Sequence, residues 1–133
     1  MSVLAALLIG AGMFPTSVQT PITEVIVAPE PGTAEYGAYL AASLGCADCH
    51  GADMTGIAPS GFGPAGPNLT AIVPKWSEAE FFTLFREGKD PSGRLIDPLV
   101  MPWKSYNHAL VDEDLKSIYL YMNSLEYVEM SER

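Results

Sequence analysis

The sequence predicts an all-α fold, with three main helices and long loops wrapped around one large group, preceded by an N-terminal hydrophobic segment. Three observations predict it. Apolar residues recur at helical spacing in three separate stretches. Between those stretches lie two runs rich in glycine and proline that cannot be regular structure. Three short helices also enclose too little core on their own, so a large apolar ligand has to supply the missing volume. At 133 residues the chain suits one domain plus a tail, and 48% hydrophobic against 17% charged residues excludes disorder throughout.

The first element is residues 1–21, read as a hydrophobic anchor or signal-anchor. No charged residue precedes Glu24, and no Lys or Arg precedes Lys75. The apolar run is shorter than the roughly 20 residues that cross a bilayer core, so a span would draw in the weaker residues 16–23. A cleavable signal peptide is the alternative, but the positive start and small-residue cleavage site it needs are not clear here. Residues 22–32 (ITEVIVAPEPG) read as an extended, proline-stiffened tether.

The domain proper is expected over 33–128, followed by a polar tail at 129–133. Thr33 can cap the first helix, in which Tyr36, Leu40 and Leu44 fall at i, i+4 and i+8, and Gly45 suits its end. Residues 51–69 hold five glycines and three prolines, and a loop of that length in a compact domain usually wraps something. Ser77 and Glu80 form a capping-box pattern opening a helix that carries Phe81, Phe82, Leu84 and Phe85 as far as Gly88. A second irregular stretch covers 90–102. The last helix begins near Asp112 and carries the stripe Leu115, Ile118, Tyr119, Met122 and Leu125.

Chemistry concentrates at Cys46-Ala47-Asp48-Cys49-His50, which matches the C-x-x-C-H pattern of covalent haem attachment. Thiols three positions apart meet the two vinyl groups on one haem edge, and the adjacent histidine reaches the iron. A thioredoxin-like dithiol would need a strand-helix-strand setting, whereas this pair follows a helix and precedes a glycine-rich loop. A zinc site would need four ligands, and His108 is the only further histidine. Two cysteines are too few for a disulfide scaffold.

From Thr33 to about Val128 the chain resembles the class I cytochrome c family. The matching pieces are Cys46, Cys49 and His50, then Gly66-Pro67-Asn68-Leu69, then Met101-Pro102-Trp103, and the closing helix with Tyr119 and Tyr121. The resemblance implies one covalent haem c with His50 as proximal iron ligand, and Pro67 as the residue whose carbonyl accepts the ring Nδ1 proton. Leu69 belongs to the same segment.

The sixth ligand is sought among Met54, Met101, Met122, Met130 and His108. Met54 is too close in sequence to His50 to reach the far face, Met122 falls on the buried helical stripe, and Met130 lies in the tail. Met101, stiffened by Pro102, matches the distal position of the family and is the expected ligand. His108 is the alternative, and bis-histidine ligation would lower the potential. Trp103 and Tyr106 are expected to line the haem edge, with filling of the core between helix and loop as the alternative for either. Gly37 and Tyr39 are expected to meet Tyr119 where the first and last helices cross, and Val111, in place of a threonine cap, is expected to shift the cap to Asp112.

With both axial positions filled, the expected function is outer-sphere electron transfer at a relatively high potential, by an electron carrier rather than an enzyme. The alternative is a five-coordinate or bis-histidine haem protein for gas binding or sensing. Residues 88–125 also resemble the cytochrome subunits attached to membrane dehydrogenases and to quinol-oxidising complexes such as alternative complex III, and the hydrophobic segment favours such a complex, respiratory or photosynthetic, over a free shuttle. That resemblance implies neighbouring subunits, a quinol-side donor, a soluble electron acceptor and a haem domain on the periplasmic side of the membrane. A net charge of −9 excludes nucleic acid as a partner and favours a basic or neutral docking surface.

Overall fold

A computed structural model describes residues 7, 10, 11, 27–59 and 65–129. The expectations for the anchor over 1–21, for the tether before residue 27 and for Met130 therefore fall outside the described residues, save for Leu7, Gly10 and Ala11. Over residues 27–129 the described α-helices are, in order, α1 Ala34–Ser43, α2 Cys46–His50, α3 Leu69–Ile72, α4 Glu78–Glu87, α5 Trp103–Ala109 and α6 Asp112–Ser124, with a 3-10 turn at Val73–Lys75. Among the described residues there are two isolated bridges, Ile57 with Gly66 and Lys89 with Leu95. None of the described helices is long and apolar enough to cross a membrane.

The three predicted helices are α1, α4 and α6. Their starts follow from local chemistry. Thr33 accepts the Tyr36 N–H at 3.2 Å. At α4, Ser77 Oγ accepts the Glu80 N–H at 3.3 Å, and the Glu80 carboxylate accepts the Ser77 N–H at 2.8 Å, which satisfies two orphan donors reciprocally. At α6 the expected shift of the cap to Asp112 does not occur. Val111 is the N-cap; it has no side-chain acceptor, and instead its own N–H donates to Asp114 Oδ2 at 2.9 Å.

Packing bears out the expected close crossing of the first and last helices and corrects its partners. The deepest residues of α1 are the small Gly37 and Ala41 rather than the Tyr36, Leu40, Leu44 stripe, which is only half-buried. Gly37 meets the backbone of Ser117 and the side chain of Tyr121, not Tyr119: a Cβ on it would lie 1.9 Å from the Ser117 carbonyl oxygen. Only a missing side chain lets α1 and α6 cross so closely. Tyr39 instead stacks on Tyr36 with ring centroids 6.0 Å apart. Tyr119 packs on Phe81 at 5.4 Å and donates its hydroxyl to the Trp76 carbonyl at 2.8 Å.

The core sits where α4 meets α6, with Leu115, Ile118 and Met122 against Phe81, Leu84, Phe85 and Val73. Arg86 ties three helices together. Its guanidinium donates to Asn107 O, Asn107 Oδ1 and Leu110 O at 2.9–3.1 Å and pairs with Asp112 at 2.7 Å. It thereby satisfies carbonyls at the end of α5 that the helix itself cannot.

Candidate haem site

The first turn of the site is α2 itself. Gly45, at φ +72, reverses the chain after α1, and the one-turn helix then holds Cys46, Cys49 and His50 on the wall of a cavity of about 690 Å³. The other walls are mostly apolar, from Leu69, Ile72, Leu84, Phe85, Ile118 and Met122. That volume falls in the roughly 300–1,000 Å³ range of ligand sites.

His50 is clamped from two sides. Its Nδ1 lies 2.9 Å from the Pro67 carbonyl, so Nδ1 carries the proton and Nε2 is left as the ring's ligand atom. Burial lowers the pKa of the imidazole while the Pro67 carbonyl opposes that shift; a neutral ring is the form that binds a metal. Gly66 packs flat against the ring: a Cβ there would lie 2.6 Å from the Cys49 carbonyl oxygen and 2.9 Å from His50 Nδ1. The loop after α2 fixes this segment through backbone bonds. Ile57 N–H donates to Gly66 O at 3.0 Å, Leu69 N–H to Met54 O at 2.8 Å and Gly56 N–H to His50 O at 2.8 Å.

Of the residues expected at the site, Cys46, Cys49, His50, Pro67, Leu69, Met101 and Tyr106 all line the cavity. Tyr106 also donates its hydroxyl to the Leu44 carbonyl at 3.3 Å. Trp103 does not line it. Its indole N–H donates to Ile96 O at 2.9 Å, and its ring lies over Gly88, where a Cβ would come within 2.2 Å. It therefore locks the end of α4 to the loop at residues 90–102. Met54 is buried outside the lining, and His108 is exposed on α5, also outside it. Met122 lines the cavity beside Met101.

Among the described residues, charged side chains enter the lining through the second loop, at Asp90, Arg94 and Asp97. Asp90 accepts from Ser92 and Arg94, which hold its carboxyl down at about 2. The dithiol reading weakens at the same time: burial pushes the Cys46 thiol up to about 11, the opposite of the depressed pKa of a redox-active cysteine. Among the described residues no three His, Cys, Asp or Glu side chains converge as a metal site, so a zinc centre lacks its donor set.

An apolar slot with two thiols and an oriented imidazole on one wall is what a covalently bound haem requires. A sequence model described as Cytochrome c matches residues 34–126. The chain belongs to the cytochrome c family. No curated protein and no solved structure matches it. As a cytochrome c it carries haem c covalently, through Cys46 and Cys49 of its C-x-x-C-H segment, and transfers electrons as a carrier to and from redox protein partners. The haem supplies the one-electron Fe(III)/Fe(II) couple.

Two contributors to the site were not foreseen. Gly66 was visible as part of a motif, but its close approach to His50 is a contact between segments distant in sequence. The ties of Asn68 and Thr70 to the C-terminal residues are likewise long-range and leave no local signal.

Proposed function

We propose that this cytochrome c moves single electrons at a relatively high potential, with His50 and Met101 as axial ligands. The observation that carries it is that the His50 ring, with Nδ1 held by Pro67, shares its cavity with Met101, while His108 is exposed outside that lining. A neutral thioether opposite a histidine, in a mostly apolar pocket, favours the ferrous form. His50 and Met101 would hold the iron from its two faces, which would leave no open coordination position for a substrate. As its cellular setting we infer a haem domain on the extracytoplasmic side of a membrane, attached through residues 1–21 and working beside other subunits of a membrane complex. It would take electrons from a quinol-side donor and pass them to a soluble acceptor with a basic or neutral docking face.

Optical spectra of the oxidised and reduced protein test the ligation. The ferric form should show the weak far-red band of methionine bound to iron, lost in Met101→Ala and kept in Met122→Ala. Absence of that band in the parent protein, together with ready binding of carbon monoxide to the ferrous form, would instead establish an open site and the gas-binding alternative.

A further inference from the structure

The residues after α6 run back to the segment that holds His50. Asn68 Nδ2 donates to Val128 O at 2.7 Å, and Val128 N–H donates to Thr70 Oγ1 at 3.3 Å. Thr70 Oγ1 in turn donates to Asn68 Oδ1 at 2.7 Å, and the same oxygen accepts the Ala71 N–H at 3.2 Å as the cap of α3. Thr70 is 3% exposed, whereas Tyr127 and Val128 are 66% and 50% exposed. Apolar burial therefore does not hold this stretch down. What fixes residues 126–129 is a polar knot on Asn68 and Thr70, one and three positions after Pro67.

We propose that this knot is a clasp that positions the proximal ligand, with Asn68 and Thr70 as positioning residues acting on His50 through Pro67. The segment 66–69 is already held on one face by Met54 and Ile57; the clasp closes the other. A rigid carbonyl at Pro67 keeps the Nδ1–H bond short, which orients the ring and raises its donor strength toward ferric iron. Opening the clasp loosens that bond, weakens the donor and favours ferrous iron. The proposal rests on His50 being the proximal ligand.

The test compares the haem-loaded protein with Thr70→Val, Thr70→Ser and a chain ending after Leu125. Glu126→Gln/Glu129→Gln is the control for the charge that the shortened chain loses. Two readouts are taken: the midpoint potential, and the proton NMR pattern of the ferric haem methyl groups, which reports the plane of the axial imidazole. Thr70→Val should change the methyl pattern and raise the ferrous-to-ferric ratio at fixed potential about threefold, or roughly 28 mV at 59 mV per tenfold for one electron. The shortened chain should do the same, Thr70→Ser should restore the parent values, and the glutamine control should leave the methyl pattern unchanged. The clasp is refuted if Thr70→Val and the shortened chain lower only the unfolding temperature and keep the parent's methyl pattern and potential. His50→Gly examines the ligand assignment separately: if the parent's low-spin spectrum survives it, that assignment fails regardless of the Thr70 result.

Discussion

At Gly66 the absence of a side chain is the functional feature. The His50 ring and the Cys49 carbonyl occupy the space a Cβ would need, at 2.9 and 2.6 Å, both shorter than a carbon contact tolerates. Gly66→Ala must therefore push the ring away from the Pro67 carbonyl or displace α2. We expect less haem-loaded protein and a loss of about 1–3 kcal/mol in what does form, by analogy with overpacked cores, measured by haem absorbance per polypeptide and by denaturant unfolding. Asp90 makes a second prediction at this scale. Its carboxyl is held at about 2 by Ser92 and Arg94, below its ordinary 3.8. A depressed carboxyl contributes stability that is complete above its unfolded value and lost as pH falls through its folded value. The turn at residues 90–94 should thus keep its bonds down to the interval between pH 3.8 and about 2. A carboxyl titration followed by NMR should place the Asp90 midpoint near the bottom of that interval; a midpoint near 4 would show that the turn is not closed in solution.

Helices are joined here by one partly buried cation, Arg86, more than by surface pairs. Arg86 gives three hydrogen bonds to α5 and its C-terminal carbonyls and one ion pair to Asp112 at the start of α6. Arg86→Ala leaves the Asn107 and Leu110 carbonyls short of a donor, and hydrogen bonds to charged groups are worth about 1.5–3 kcal/mol each before relaxation. A loss of about 2–4 kcal/mol in chemical unfolding is expected, with Arg86→Lys recovering only part because an ammonium cannot fork to the same acceptors. The same region shows what sequence could and could not carry. Helices α1, α4 and α6 were legible because Thr33 and the Ser77/Glu80 box mark starts and the Phe81 and Leu115 stripes mark faces. Helix α5 was not, because Trp103–Ala109 is short, has no apolar period and starts behind a proline. The place of Trp103, at the haem edge or in the core between helix and loop, was not legible either. An aromatic two positions after Met101 can face the cavity or Gly88, and only the left-handed turn at Gly88, φ +71, opens the second place. The haem-attachment residues were legible in full because their chemistry demands a fixed local spacing, whereas the clasp and the Gly66 cradle are contacts between distant segments.

The molecule as a whole is built around a space it cannot keep empty. The cavity of about 690 Å³ is walled mostly by apolar side chains such as Leu84, Phe85 and Ile118, which forfeit their packing contacts on that side when nothing fills it and offer water no hydrogen-bond partners there. The parts of the fold differ in how much they depend on the ligand. Helices α1 and α6 touch directly through Gly37 and Ser117, and Ser117 Oγ also accepts the Gly32 N–H at 3.0 Å, tying the start of α1 to α6. The α2 turn, the segment around Leu69 and the Met101 loop instead face the cavity. A Cys46→Ala/Cys49→Ala chain, produced without attached haem, is therefore expected to keep part of its helical far-ultraviolet dichroism from α1 and α6. It should lose the near-ultraviolet signal, bind a hydrophobic dye and melt without a cooperative transition. A sharp melt with native near-ultraviolet dichroism in that variant would mean that the helices close the cavity by themselves, and that the haem is a passenger rather than the centre of the core.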